Sequence, residues 1–207
     1  MALRDTSLDG RITAAAWREF SEKGYMGASL RKIAEQAGVT VGAIQTRYPS
    51  KDALFASLIQ PLLTDADATF QSVKADYYAD VPNSLLDQLK ASMRAESAEI
   101  LRVIFAHYDE AILLFERSAG SSLANFYDGL VQRKIDESIA FFRAKDEALV
   151  DEKLLALLIS LQFDTYRRIV RECPDRAEAQ RTMNALMTYH FAGWTALFDA
   201  TKEENVE

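Results

Sequence analysis

Apolar positions along this 207-residue chain recur at intervals of three and four, and no stretch alternates in twos. The pattern is clearest near the amino end. Over residues 8–23, Ile12, Ala15, Ala16 and Phe20 fall on one helical face with Trp17 beside them. Arg11, Arg18, Glu19, Glu22 and Lys23 cover the rest, and Gly24 closes the segment. Ser29 then stands where a helix cap belongs, and Leu30, Ile33, Ala34 and Ala37 form one apolar stripe over about two turns. Gly38 occupies the left-handed position that ends a helix, and Thr40 restarts the chain as a second cap. Val39 is placed to pack on Ile44, stapling the new helix. Ile44 and Tyr48 pack inward, leaving Val41, Gln45, Thr46 and Arg47 for another purpose, and Pro49 predicts that this helix stops at Tyr48. Two short helices joined by a glycine turn are the architecture that lays its second helix in a DNA major groove.

The remainder is also periodic in threes and fours. A fourth helix is expected after Pro49, capped by Ser50 and continuing to about residue 78. Leu54, Phe55, Leu58, Ile59, Leu62 and Leu63 give it a wide apolar face. Pro61 inside it predicts a kink, read as the junction between an amino-terminal head and the rest. A breaker at Asp80-Val81-Pro82-Asn83 is followed by helical segments at about 83–96, 97–117, 122–145, 151–172 and 176–200. The break at Glu96 to Glu99 is weak, and a single bent helix is the alternative there. The expectation is an all-α protein. Residues 1–52 form a helix-turn-helix domain that includes the start of the fourth helix, and residues 53–207 form a helical bundle.

Composition fits a compact helical chain, with 49% apolar residues, 4 prolines and 8 glycines. A single cysteine, Cys173, excludes an internal disulfide framework and suits a reducing cytoplasm. The amino terminus has no apolar core of a signal peptide, and no run approaches the roughly 18 apolar residues of a membrane span. Net charge is −7, which at first opposes nucleic-acid binding. The distribution reverses that: the first 51 residues hold eight basic and five acidic side chains, hence +3, leaving −10 for the other 156. A basic head on an acidic body is the asymmetry expected if the head alone meets phosphate.

The segment ITAAAWREFSEKGYMGASLRKIAEQAGVTVGAIQTRYPSKDALFASLI resembles the DNA-binding domain of TetR-family transcriptional regulators. The resemblance is carried by Ile12, Ala15-Ala16 and Phe20, then Gly24-Tyr25, Ser29-Leu30, Ile33-Ala34, Ala37-Gly38-Val39 and Pro49-Ser50-Lys51 with Leu54-Phe55. The ending HFAGWTALF, from His190 to Phe198, also looks like the last helix of such proteins. The resemblance implies a three-helix reader, a helical effector-binding body, and a homodimer formed mainly by the last two helices. It departs from the family at the recognition helix, where Gln45, Arg47 and Tyr48 stand in place of the usual Tyr, His-like residue and Phe. Gln45 suits bidentate contact with adenine, Arg47 phosphate or guanine, and Val41 a thymine methyl. Arg31 matches a family position that reaches DNA, and Lys51 matches the family's lysine at the fourth helix, where a phosphate contact is expected. Thr40, Thr46 and Tyr48 complete the expected DNA-binding set. For each of these residues the bland alternative is a solvated helix face.

Dimerisation is expected from Leu154, Leu158 and Leu161 on one segment and Met183, Met187, Phe191 and Trp194 on the last, with Gly193 allowing close approach. The alternative is a helix central to a monomeric bundle. Effector candidates are His107, Tyr108 and Glu110 within one apolar helix, Tyr127 on the next segment, and Phe163, Tyr166 and Arg167 on the one after. Aromatic stripes of this kind are more often core.

Two rival classes remain. A di-iron bundle needs repeated Glu-x-x-His, whereas His107 and Glu110 stand in reversed order and once only. Two histidines and one cysteine support zinc thinly, and no nucleophile elbow, phosphate loop or dinucleotide fingerprint occurs. No metal, no cofactor and no enzymatic activity are therefore expected. A helical adaptor, or a metal- or small-molecule-binding bundle, without DNA-binding function is the alternative. The sequence reads best as a cytoplasmic, dimeric, effector-responsive regulator, in most such proteins a repressor, on a palindromic operator.

Overall fold

The computed structural model describes residues 6–77, 85–144 and 151–204. The expected breaks at 80–83 and at 145–146 lie outside those residues. Among the described residues the chain is helical with no strand. In order, the helices are α1 Thr6–Gly27, α2 Leu30–Ala37, α3 Val41–Gln45, α4 Lys51–Tyr77 and α5 Leu85–Ala106, then α6 Tyr108–Arg117, α7 Phe126–Ala144, α8 Glu152–Glu172 and α9 Arg176–Glu204. No helix among these residues is long and apolar enough to cross a membrane.

The chain divides into two compact units. The first comprises Met1–Asp65 together with His107–Phe126, and the second Ala66–Ala106 with Tyr127–Glu207. The first unit therefore includes α6, a helix from the middle of the chain. α6 packs on α1 and buries Ala111, Leu113 and Leu114. The division within α4 falls at Asp65, one turn beyond Pro61, and α4 continues through that proline as one helix.

In the first unit, Ile12, Ala15, Ala16 and Phe20 are sealed in the core, as the periodicity of α1 requires. Phe20, Tyr25 and Phe55 form an aromatic cluster, with ring centroids 5.0 Å apart for Phe20–Phe55 and 5.2 Å for Tyr25–Phe55. Gly24 has φ 65°, so the regular part of α1 stops there and one further turn reaches Gly27. In the loop after α6, Gly120 has φ 84°, and a Cβ there would stand 2.8 Å from Met26 Cγ.

Two expectations about the helices change. The polar stretch Glu96 to Glu99 does not break the chain, because Ser97 is buried with its hydroxyl donating to the Arg94 carbonyl at 3.0 Å. α5 runs through it. The break comes instead at His107, which was expected mid-helix but adopts φ −132°, ψ 45° between α5 and α6. Asp109 and Glu110 then sit in the first turn of α6, where the helix dipole favours acids.

The core of the second unit gathers Leu101 of α5, Ile135 of α7, Leu155, Ile159, Tyr166 and Ile169 of α8, and Met183, Met187, Phe191 and Trp194 of α9. The four α9 side chains expected at a dimer contact are thus already buried within their own protomer. Their apolar character is satisfied by packing on α5 and α8.

Candidate nucleic-acid interface

The outer side of the head is assembled by local rules. α2 ends in a Schellman motif: Gly38 has φ 66°, ψ 40°, its N–H donates to the Glu35 carbonyl, and the Val39 N–H donates to the Ala34 carbonyl at 3.0 Å. Thr40 Oγ1 then accepts from the Ala43 N–H at 3.1 Å and starts α3. The start of α2 differs from expectation. Ser29 holds the cap position, but its side chain makes no capping bond. Glu19 of α1 reaches this end instead: its Oε1 accepts the N–H of Ser29 itself at 3.2 Å, and its Oε2 accepts Gln36 Nε2 at 3.4 Å. Glu19 is only 6% exposed. A carboxylate at a helix amino end is favoured by the dipole as well as by the hydrogen bond.

α3 is shorter than expected, ending at Gln45 rather than Tyr48. The chain continues in tight turns, with the N–H groups of Arg47 and Tyr48 both donating to the Ile44 carbonyl. Ile44 is sealed in the core. Arg31, Thr40, Gln45 and Thr46 are exposed, and Val41 and Tyr48 are half-buried. Thr46 Oγ1 donates back to the Gly42 carbonyl at 2.9 Å, so it has less freedom than Gln45.

Two expected phosphate or base contacts are otherwise engaged. Arg47 Nε is ion-paired with Asp9 Oδ1 of α1, and its side chain is only 16% exposed. The guanidinium fastens the turn that follows α3 to the first turn of α1. Lys51 Nζ donates to the carbonyls of Tyr25 at 2.8 Å and Ala28 at 3.1 Å, and lies 4.4 Å from the centroid of the Tyr25 ring. Its neighbour Asp52 accepts from the Ser122 N–H at 2.8 Å. That bond, with one from the Tyr25 hydroxyl, holds the Asp52 carboxyl below its ordinary pKa. Burial raises the Tyr25 hydroxyl, and the Asp52 charge adds to the effect.

The effector candidates separate. His107, Tyr108 and Glu110 lie in the first unit, where His107 Nε2 stands 3.4 Å from Asp65 Oδ2. Tyr127, Phe163, Tyr166 and Arg167 meet in the second. The Tyr127 hydroxyl donates to the Phe163 carbonyl, the Arg167 guanidinium lies 5.6 Å from the centroid of the Tyr127 ring, and the Phe163 and Tyr166 rings are 5.6 Å apart. Burial pushes both tyrosine hydroxyls up, so they remain protonated donors. The sequence reading missed Gln162, which donates to the Tyr166 hydroxyl, and the ion pair of Lys134 with Glu96. The spacing of four between Gln162 and Tyr166 was the available signal for the former. Of the expected dimer residues on α8, Leu154 is 39% and Leu161 56% exposed, with Leu158 half-buried. Leu157, on the same face, is 60% exposed.

Residues 12–58 match a family described as "Bacterial regulatory proteins, tetR family". The HTH-type transcriptional regulator PksA of Bacillus subtilis (strain 168) is 27% identical over 176 residues, spanning 80% of this chain and 82% of that protein. The fold resembles that of a TetR-like transcriptional regulator from Rhodococcus sp. RHA1, with a TM-score of 0.60 at 18% identity over 93% of this chain and all of that one. It also resembles NalD, the secondary repressor of the MexAB-OprM multidrug efflux pump in Pseudomonas aeruginosa, with a TM-score of 0.51 at 21% identity over 90% and 97% of the two chains. Matching head, related sequence and shared helical fold together identify the chain as a TetR-like transcriptional regulator that carries the DNA-binding helix-turn-helix of the bacterial TetR family.

Proposed function

We propose that this chain is a homodimeric repressor that binds a palindromic operator through α2 and α3 and is released by a small organic effector. The observation that carries the reading is the polar outer side of the helix-turn-helix, where Arg31, Thr40, Gln45 and Thr46 are exposed around a sealed Ile44. Gln45 reads an adenine, Val41 touches a thymine methyl, and Arg31, Thr40 and Tyr48 approach the backbone. Arg47 acts by holding α3 against α1 through Asp9. Residues 1–52 serve as the DNA-binding domain, and within residues 53–207 effector binding and dimerisation fall to the second unit.

Dimerisation follows from an energetic argument and a surface. A head with one five-residue reading helix covers too little DNA for a specific complex, which buries about 1,000–2,500 Å² of protein. Two heads on half-sites about 34–36 Å apart supply it. Leu154, Leu157 and Leu161 recur at three and four along α8, an exposed apolar stripe suited to a second copy. The effector site is assigned to Tyr127, Phe163, Tyr166 and Arg167, aromatic walls with a guanidinium for orientation. Effector binding shifts the spacing of the heads by favouring one arrangement of the body, with α4 around Pro61 as the transmitting element. As a DNA-bound regulator the protein works in the bacterial cytoplasm.

The test is a shift assay on duplexes selected from a random pool by the intact chain. Retardation by a two-fold-symmetric sequence, weakening steeply with salt, supports the reading. No retardation at low salt, or selection of an asymmetric site by a monomer, refutes it.

A further inference from the structure

Lys51 stands at the first position of α4, where free N–H groups make a cation unfavourable. The structure gives a reason for a lysine there that does not involve DNA. Its ammonium bonds two main-chain carbonyls, Tyr25 at 2.8 Å and Ala28 at 3.1 Å, and the second lies beyond the last residue of α1, on the link that enters α2. The face of the Tyr25 ring, 4.4 Å from Nζ to centroid, covers the ammonium. On the other side of the link, Glu19 accepts the Ser29 N–H. The stretch of residues 25–29, the last turn of α1 and the link to α2, is therefore gripped by one buried anion and one cation, from α1 and α4.

We propose that Lys51 is a positioning residue for DNA reading. It fixes the entry of α2, and through α2 the orientation of α3, and it does not contact phosphate. The proposal rests on the DNA-binding reading above. For Lys51 to reach phosphate it would have to abandon two charge-assisted bonds and an aromatic face already satisfied in the free protein.

The discriminating measurement is the salt dependence of binding by the full chain, with a duplex selected by the wild type as probe. Each phosphate contact contributes about 0.9 to the slope of log affinity against log salt. Lys51→Met keeps the apolar stem and removes the donors. The expected result is affinity reduced about tenfold with the wild-type slope, together with about tenfold faster amide exchange over residues 28–34 in the DNA-free protein. A slope reduced by about 0.9 per protomer, or amide exchange unchanged, overturns the proposal. If Lys51→Met does not fold, Lys51→Gln, which retains a neutral donor, is read in the same two ways. If the wild type selects no duplex, the DNA-binding reading fails, while the exchange experiment still decides whether Lys51 holds the link.

Discussion

Gln45 is the side chain on which sequence selectivity rests most directly, because it is exposed at the end of α3 with no packing role. Gln45→Ala is expected to lose about 1–3 kcal/mol of discrimination at one base pair per half-site, leaving thermal stability unchanged. Competition between operator variants measures the first and calorimetry the second. A different residue-scale effect belongs to His190 of α9. Its Nε2 is buried without a hydrogen-bond partner, and burial lowers its pKa below the ordinary 6.5. The unfolded chain therefore takes up the proton at a higher pH than the folded one. The neutral ring's contribution to stability is present above pH 6.5 and is lost as pH falls through the lowered value. His190→Leu is expected to reduce the loss of denaturation free energy on acidification through this range. Urea titrations on either side of pH 6.5 provide the check.

At the scale of the element, α3 is the weak member of the head. Five residues are too few for a helix to stand on propensity, so α3 depends on its cap and on sealed Ile44. Thr40→Ala removes the bond to the Ala43 N–H and is expected to cost about 0.5–2 kcal/mol of stability. Faster exchange of the α3 amides and weaker DNA binding should accompany that loss in hydrogen-exchange and shift experiments. The parts of this motif that depend on neighbours in sequence were legible in advance. Gly38 and Thr40 act within four residues of themselves, and the residue types required there are few. Glu19, Arg47 and Lys51 act across 10, 38 and 23–26 residues, and a periodic pattern shows only that they lie off the apolar face. The same limit explains His107. No glycine or proline marks the break before α6, whereas the polar residues that suggested a break at Glu96 to Glu99 are accommodated within α5.

For the whole molecule, sequence patterning located the apolar residues of α8 and α9 correctly but did not say which partner covers them. Met183, Met187, Phe191 and Trp194 pack within the protomer, whereas Leu154, Leu157 and Leu161 do not. Apolar character is the same in both cases, and only tertiary packing separates core from surface. If a second copy covers the α8 stripe, Leu157→Asp places an unpaired charge in that contact and weakens self-association by about 100-fold or more, corresponding to about 3–5 kcal/mol. Because Leu157 is exposed in the protomer, the variant should keep its helical circular dichroism. Sedimentation velocity at micromolar concentration distinguishes a monomeric variant from the dimer, and a wild-type protein that is itself monomeric would remove the basis for the prediction.

The grouping of α6 and its following loop with the first three helices also bears on engineering. Ser122 bonds Asp52, Gly120 lies against Met26, and α6 buries Ala111, Leu113 and Leu114. A chimera that grafts only the first 65 residues onto another regulator would leave those surfaces facing a foreign insert. Transplanting residues 107–126 along with them preserves the native seam, so the transferable cassette is discontinuous in the gene.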